Sequence, residues 1–376
     1  MKRNVLFSNT RQWNPGDEFI LMGVQRLLAA AGLEVNAAIY NRNPEVNPPY
    51  GARLGLRRLR LAENPWLKGL LPFLRFDFLD NSHAPTASLD GYDLVVFAGS
   101  PEWVGRRLQP LYERLAASDV PVLYLGLGGS RARSYDELDG VERAVLERAA
   151  LITVRDTFTR DRLAPLAPHL LPCPALFSAA PELAVHRSYL NRLGLIYASD
   201  ESVPFQRVSP ATHDLIVTAF RELLKRYGGE IVCHYIDEMP RARALFPGVP
   251  VHYHFDAAEY VGIYRRFDLV VGPRLHGVGI SASMGIPGIA LNHDGRGHTA
   301  EGFGARILDI AAGPAALVRA VEQAIPHLPE WSARLAAQRA EAWQKHTGLV
   351  REALGKLDLI SVPDPPGSQS RSAEQS

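Results

Sequence analysis

Short runs of consecutive apolar residues alternate along the chain with longer segments in which apolar residues recur every three or four positions. A continuous apolar run is typical of a strand in a parallel sheet covered on both faces, and the longer spacing is typical of a helix with one buried face. The first half of the chain therefore predicts strands with helices between them. The strands are predicted at residues 5–7, 35–40, 94–98, 122–125 and 151–154, and the helices at about residues 18–31, 104–117 and 137–149.

A proline-rich segment, residues 171–186, separates this pattern from a second series of the same kind. Two successive series predict an α/β protein with two Rossmann-like domains that face each other across a cleft. We expect an N-terminal domain over residues 1–180, a C-terminal domain over residues 187–350, and a disordered Pro/Ser/Gln-rich tail over residues 361–376. The second domain's strands are predicted at residues 194–198, 231–235, 251–253, 269–271 and 288–291, and its helices include residues 210–227 and a short helix near Pro240.

Residues 50–80 do not follow either pattern. Arginines alternate there with leucines, and tryptophan and phenylalanine residues follow. One interpretation is an amphipathic flap that touches a membrane surface or a lipid-linked acceptor. The other is a helical insertion that packs on the first domain, because arginine is common on exposed helix faces.

Composition excludes several classes of protein. The chain has 376 residues, of which 47% are hydrophobic and 22% charged, and this is typical of a globular protein rather than of a disordered or fibrous one. Lys and Arg number 41 against 40 Asp and Glu, which gives a net charge of +1. A protein that binds nucleic acid usually needs a basic excess to neutralise phosphates, so we expect no nucleic-acid partner.

Cysteine content and hydropathy indicate a cytoplasmic protein. The chain has 2 cysteines, Cys173 and Cys233, which cannot form a disulfide framework or a cysteine-based zinc site. The basic N-terminus is followed by only three consecutive apolar residues, too few for a signal peptide. No stretch of about 18 apolar residues is present, so we expect no membrane span.

The loop after the first predicted strand is a candidate ligand-binding loop. It contains Asn14, Gly16 and Asp17 and opens the first helix, a position at which α/β sheets bind ligands. The alternative is that Asn14 or Asp17 only caps that helix. The loop has neither a dinucleotide fingerprint nor a phosphate-binding P-loop sequence, and the glycine-rich turn at residues 126–130 is a weak signal.

The segment from Pro273 to Gly277 carries the strongest candidate chemistry. Arg274 and His276 follow one predicted strand and begin the next helix. A guanidinium, an imidazole and the N–H groups of a helix N-terminus together form an anion site. The alternative is that His276 caps the helix while Arg274 is solvated.

Like Arg274, Arg155 directly follows a predicted strand. It is predicted to point into the cleft, and the alternative is a surface ion pair with Asp156, which would stabilise the fold little. His252 and His254 share one face of a strand, but no third ligand follows at a suitable spacing, so we expect no metal site. The sequence also lacks the nucleophile motif of the α/β-hydrolases.

These motifs, in this order, resemble the polysaccharide pyruvyl transferase family. The resemblance extends over about residues 1–302 and implies a fold like that of the GT-B glycosyltransferases, phosphoenolpyruvate as the donor and a sugar hydroxyl pair as the acceptor. In place of the family's glycine-rich turn, this chain has Gly99-Ser-Pro-Glu102. The similar segments are Asn14-Pro-Gly-Asp-Glu18, Arg155-Asp156, Cys173-Pro-Ala-Leu-Phe177, Arg274-Leu-His-Gly277 and Ser281-Ala-Ser-Met-Gly285-Ile-Pro287.

Ketal formation from phosphoenolpyruvate needs an acid, an anion site and a base, and no metal or organic cofactor is required. We expect His276 to be the acid, with Arg274 and Arg155 binding the phosphate and carboxylate. Asp17 and Glu102 are candidates for the base. The substrate-binding set is completed by Asn14, Gly16, Gly277 and Glu102, and the acceptor is expected to be a sugar or a lipid-linked saccharide, with peripheral membrane contact if residues 50–80 form a flap.

Two other functions fit the predicted fold. A GT-B glycosyltransferase would use a nucleotide sugar, for which Glu259 or Glu301 could bind the ribose. A solute-binding protein would also have two Rossmann-like lobes, but such a protein normally carries the signal peptide that this sequence lacks.

Overall fold

The computed structural model describes residues 2–10, 14–42, 88–100, 108–129, 132–202, 208–293 and 297–361. The first of its two sheets has six parallel strands in the order β2-β1-β3-β4-β5-β6. Five of them are the strands expected in the first half of the chain. The strands are β1 (Arg3–Asn9), β2 (Val35–Asn41), β3 (Leu94–Ala98), β4 (Val122–Leu127), β5 (Leu151–Val154) and β6 (His169–Leu170).

The second sheet also has six parallel strands, in the order β12-β11-β10-β7-β8-β9. Counted from β7 as the first strand, this is the 3-2-1-4-5-6 order of the Rossmann fold. The structure thus confirms the predicted class of two parallel-sheet α/β domains. The strands are β7 (Leu193–Ile196), β8 (Glu230–Val232), β9 (Val251–His252), β10 (Leu269–Gly272), β11 (Gly288–Asn292) and β12 (Arg306–Asp309).

Helices connect the strands of both sheets. Most lie close to their predicted positions, but the helix expected at residues 137–149 is shorter and begins at Gly140. A short 3-10 turn, Tyr135–Glu137, is followed instead by a separate helix, because Asp139 accepts hydrogen bonds from the N–H groups of Val141 and Glu142 and so begins a new helix. The helices are α1 (Pro15–Ala30), α2 (Gln109–Ala116), α3 (Gly140–Glu147), α4 (Thr157–Arg162), α5 (Pro210–Tyr227), α6 (Glu238–Leu245), α7 (Glu259–Tyr264), α8 (Leu275–Ala282), α9 (Gly297–Glu301), α10 (Pro314–Ala324) and α11 (Leu328–Lys356).

The order of strands reverses once in each sheet, between β1 and β3 in the first and between β7 and β10 in the second. At such a point the connections leave on opposite faces and a crevice opens beyond the carboxyl ends of the strands. The loops that follow β1 and β10 carry the candidate residues of the sequence. The fold therefore places both groups beside a crevice.

The last helix, α11, connects the end of the chain to the first domain. His346 Nε2 is 2.9 Å from the carbonyl oxygen of Pro172, and Arg351 donates to the carbonyl oxygen of Ala30 at 3.0 Å. The ring of Trp343 packs edge-on against that of Phe177 at 5.2 Å. One hydrophobic core consequently includes residues of both domains.

Two predicted segments cannot be compared with the structure. Residues 50–80 and residues 362–376 lie outside the described part of the chain. Among the helices that are described, none is both long enough and apolar enough to cross a membrane.

Candidate active site

The two strongest motifs of the sequence meet between the domains. Arg155 directly follows β5, whereas His276 lies in the first turn of α8, after β10. Arg155 Nη1 is 3.5 Å from His276 Nε2, although the residues are 121 positions apart. An arginine side chain can only donate, so Nε2 of His276 is the acceptor in this contact.

Arg155 is buried near the carboxylate of Asp156 but forms no ion pair with it. It is 8% exposed, and its Nη2 donates to the carbonyl oxygen of Gly128 at 3.3 Å. Its Nη1 lies 3.8 Å from the sulfur of Cys173, whose pKa is raised by burial, which keeps the thiol neutral. Within the described residues Arg155 forms no ion pair, and its Nε has no hydrogen-bond partner. A buried charge without a partner is costly, so this guanidinium is suited to bind an anion.

The glycine-rich turn after β4 makes room for the residues that follow β5. A Cβ atom at Gly128 would lie 2.4 Å from Asp156 Oδ2 and 2.5 Å from Arg155 Cγ. Any side chain there would displace both residues. The glycine-rich turn, a weak signal in the sequence, thus has a packing role in the site at Gly128.

Asp156 joins the two domains rather than pairing with Arg155 on the surface. Its Oδ1 accepts from the N–H of Thr159 at 2.8 Å and caps α4. Its Oδ2 accepts from the N–H of Gly129 at 3.2 Å and from the hydroxyl of Thr299 in α9 at 3.4 Å. The carboxylate therefore holds the wall of the cleft beside Arg155.

Arg274 is also buried, at 7% exposed, but it has a carboxylate partner. It forms an ion pair with the fully buried Glu238, and its guanidinium lies 4.6 Å from the ring centre of Tyr235. Burial alone would lower the pKa of Arg274, but Glu238 and Tyr235 outweigh it and the pKa is raised. The Glu238 carboxylate also accepts from the backbone N–H groups of Ser199, His234 and Tyr235. Arg274 is therefore neither solvated nor an unpaired positive charge.

The start of α1 faces the same region from the first domain. Asn14 occupies the N-cap position but makes no side-chain cap; its Oδ1 instead accepts from the hydroxyl of Tyr235 at 3.4 Å. A Cβ atom at Gly16 would lie 2.7 Å from His276 Nδ1. The absence of a side chain at Gly16 thus lets the start of α1 approach the imidazole.

Asp17 lies in the first turn of α1 and is paired with an arginine that the sequence analysis missed. Arg42, just after β2, places Nη2 3.5 Å from Asp17 Oδ2 and donates through Nη1 to the carbonyl oxygen of Ser100. The Asp17 side chain is 24% exposed and that of Arg42 is 5% exposed. The signal available in the sequence was a polar residue directly after an apolar strand.

Gly277 has a packing role in the described residues. A Cβ atom there would lie 2.4 Å from the hydroxyl oxygen of Tyr264 and 3.1 Å from His234 Nε2. His234 Nε2 is itself 2.7 Å from that hydroxyl oxygen. Burial, aided by Arg274, lowers the pKa of His234 to about 3, so this histidine is neutral.

Three other residues considered in the sequence are not seen in this site: Glu102 is not described, and His252 and His254 contact other groups. Glu102 lies outside the described residues. His252 pairs with Glu230 at 2.7 Å, and the N–H of Asp256 donates to His254 Nδ1 at 3.0 Å. Within the described residues no group of His, Cys, Asp and Glu could hold a metal ion.

The site is suited to an anion with more than one charged group. The N-termini of α1 and α8 converge on Gly16 and His276, and each helix carries a partial positive charge at that end. Arg155 adds a positive charge that forms no ion pair among the described residues, and His276 supplies a group that can take up or deliver a proton.

Comparison with solved structures concerns the fold. UDP-GlcNAc 2-epimerase from Neisseria meningitidis, solved with UDP-GlcNAc bound, aligns with a TM-score of 0.54 and 13% identity over 95% of this chain and 100% of that chain. The MnaA protein of S. aureus, solved with UDP, aligns with a TM-score of 0.52 and 12% identity over 96% of this chain and 98% of that chain. This arrangement of two α/β domains is the predicted GT-B-like architecture.

Comparison with protein sequences identifies the family. No curated protein matches the chain. The family model of the polysaccharide pyruvyl transferases matches residues 14–295, a range that contains Asn14, Arg155 and the Arg274–Gly277 motif. This chain therefore belongs to the polysaccharide pyruvyl transferase family, whose members are transferases.

Proposed function

We propose that this protein transfers the pyruvyl group of phosphoenolpyruvate to two hydroxyls of a sugar and so forms a cyclic ketal. The main support is the buried Arg155 guanidinium, which forms no ion pair among the described residues and contacts His276 between two helix N-termini. Phosphoenolpyruvate has a phosphate and a carboxylate close together, and such a pair of anions fits this arrangement. In this proposal Arg155 supplies the net positive charge, while Arg274, neutralised by Glu238, orients the donor.

His276 is the proposed general acid. The reaction adds a proton to the methylene carbon of the donor, which leaves a cation at the adjacent carbon for attack by a sugar hydroxyl. Loss of phosphate and attack by the second hydroxyl complete the ketal, and inorganic phosphate is the second product. The donor's negative charges favour the protonated imidazole, so donor binding prepares the acid by displacing the contact between Arg155 and His276.

Asp17 is the proposed base for the acceptor hydroxyl. It lies in the first turn of the helix that contacts His276, its carboxylate is partly exposed, and Arg42 fixes its orientation. Glu102, the other candidate for the base, lies outside the described residues. The acceptor is then a cell-surface polysaccharide or a lipid-linked precursor made in the cytoplasm, and residues 50–80, if they form a flap, bring the protein to the membrane surface.

The test of the proposal is turnover with phosphoenolpyruvate. The purified protein is incubated with phosphoenolpyruvate and a panel of free and lipid-linked saccharides, and phosphate release is followed together with the mass of the sugar product. We expect phosphate and a pyruvylated sugar in equal amounts. His276→Gln, which can form a hydrogen bond but cannot deliver a proton, should reduce turnover by about 10²–10⁴-fold and still bind the donor.

One control variant and two contrary outcomes make the result specific. Arg226→Ala removes an exposed arginine that pairs with Glu222 and Glu322 on the surface, and it should leave turnover unchanged. Near-normal turnover of His276→Gln would show that His276 only binds or caps. Thermal stabilisation by UDP but not by phosphoenolpyruvate would favour the alternative, a glycosyltransferase that uses a nucleotide sugar.

A further inference from the structure

Tyr235 lies between the two halves of the site. It follows β8, is 3% exposed, and contacts both domains. Its ring centre is 4.6 Å from the Arg274 guanidinium carbon, and its hydroxyl donates to Asn14 Oδ1 at 3.4 Å across the cleft. A single side chain thus touches the arginine that begins α8 and the residue that begins α1.

The partner of Tyr235 gives up a common local interaction to make this contact. Asn14 is the N-cap residue of α1, and asparagine at that position usually accepts from an N–H group of the first turn. Here its side chain forms no cap and its oxygen accepts from Tyr235 instead. Helix α1 therefore starts at a position set by the other domain.

The same two helices carry the groups that must be aligned. Gly16 is two residues beyond Asn14 and lies against His276, and His276 is two residues beyond Arg274. A shift of α1 relative to α8 would separate Gly16 from the imidazole and open the space between Arg155 and His276. The Tyr235 hydroxyl bond opposes this shift.

We infer that Tyr235 is a positioning residue: through Arg274 on one side and Asn14 on the other, it sets the alignment of the two helix N-termini that bind the anionic donor. The inference rests on the proposed function. It concerns the arrangement of the empty site, so loss of the hydroxyl should lower the fraction of molecules that are ready to bind. The chemical step, carried out by other groups, should change little once the donor is bound.

The first test needs no ligand. Unfolding in denaturant is measured for the wild type, Tyr235→Phe, Asn14→Ala and the double variant, all in the full-length protein. Tyr235→Phe keeps the ring on Arg274 and removes only the hydroxyl. Tyr235→Phe and Asn14→Ala each remove the same hydrogen bond. We therefore expect the double variant to have about the same free energy of unfolding as the less stable of the two single variants. If the losses of unfolding free energy in the two single variants instead add up in the double variant, the hydrogen bond between Tyr235 and Asn14 is not present.

The second test asks whether the contact positions the donor. For Tyr235→Phe we expect the KM for phosphoenolpyruvate to rise by about 2–10-fold, the effect of one hydrogen bond, with kcat within about twofold of the wild type. Tyr189→Phe is the matched control, because Tyr189 is 65% exposed, and it should leave both constants unchanged. A fall in stability with an unchanged KM would reduce Tyr235 to a structural role and overturn the inference.

The outcomes separate this inference from the proposed function. If the wild type neither binds nor turns over phosphoenolpyruvate, the proposed function fails, and the positioning role for that donor fails with it. If the wild type turns over the donor and Tyr235→Phe has the wild-type KM, only the inference fails.

Discussion

Arg155 and Arg274 are the same residue type at nearly the same burial, yet their surroundings give them different roles. Arg155 forms no ion pair among the described residues, whereas Arg274 is paired with Glu238. Removing Arg155 leaves no carboxylate without its ion-pair partner. Removing Arg274, one member of a buried pair, leaves the other member buried and unpaired. The two arginines should therefore respond differently to the same substitution, with little change in stability for Arg155 and a loss of stability for Arg274.

We predict that Arg155→Ala weakens phosphoenolpyruvate binding by about 2–3 kcal/mol and leaves the free energy of unfolding within about 1 kcal/mol of the wild type. Arg274→Ala should lower the free energy of unfolding by about 3–5 kcal/mol, because the Glu238 carboxylate remains buried and unpaired. Denaturant unfolding and calorimetric titration measure both quantities. Wild-type stability of Arg274→Ala would show that Glu238 is satisfied by its backbone donors alone.

A substitution at Gly16 should also lower activity without lowering stability. Alanine is favoured over glycine within a helix, but a Cβ atom at Gly16 would lie 2.7 Å from His276 Nδ1 and displace the imidazole. We predict that Gly16→Ala is about as stable as the wild type and turns over about 10²-fold more slowly, since a displacement of about 1 Å can cost that much.

Gly348→Ala is the control for this substitution. Gly348 lies in α11 with nothing within 4 Å of the added Cβ, so the variant should gain about 0.5–1 kcal/mol of stability and keep full activity. Equal activity of Gly16→Ala and the wild type would mean that the imidazole moves without loss of function.

Helix α1 belongs to the first domain by its position in the chain and to both domains by its packing. Phe19 is buried and its ring packs edge-on against His234 at 5.8 Å and Tyr260 at 5.7 Å, both in the second domain. At Gly23 an added Cβ atom would lie 1.8 Å from the carbonyl oxygen of Pro174. The helix is thus held from both sides, which fixes the start of α1 beside His276.

We predict that Phe19→Ala lowers the free energy of unfolding by about 3–5 kcal/mol, the usual cost of truncating a buried phenylalanine. Because the lost contacts lie between the domains, the calorimetric unfolding of this variant should separate into two transitions, whereas the wild type should show one. A Phe19→Ala protein that unfolds in one transition would indicate that the remaining contacts between the domains, including those of α11, are sufficient to couple them.

The stability of the whole molecule depends on pH through buried histidines that are neutral in the folded state. Burial lowers the pKa of His234 to about 3 and that of His346 to about 4. In the unfolded chain both groups return to an ordinary pKa near 6.5. The unfolded state therefore binds more protons below about pH 6.5, and the protein loses stability as the pH falls from 6.5 towards 4.

We predict that the free energy of unfolding at pH 5 is lower than at pH 7 by about 2 kcal/mol for each of these histidines. His346→Gln, which can still donate to Pro172, should lose about half of this pH dependence. His169→Gln removes an exposed histidine and should keep the full dependence. An unchanged pH dependence of His346→Gln would contradict the lowered pKa of His346.

Local pattern was sufficient for the described strands except β6 and β12, because an apolar run of a few residues specifies a buried parallel strand. It was also sufficient for the positions of Arg155, Arg274 and His276, because the residues after such a strand lie at the sheet's binding edge. The order of the motifs along the chain was sufficient to identify the family. The helix expected at residues 137–149 begins three residues later because Asp139 caps it, an effect that apolar spacing does not reveal.

The partners of those residues were decided by tertiary structure. Glu238 neutralises Arg274 from 36 positions away, Tyr235 reaches Asn14 from 221 positions away, and Gly16 lies against His276. No local pattern carries such pairings, because they depend on how two sheets and α11 pack together. The sequence therefore determined which chemical groups lie at the cleft, and the packing of the two domains determined which arginine is neutralised and which remains free to bind an anion.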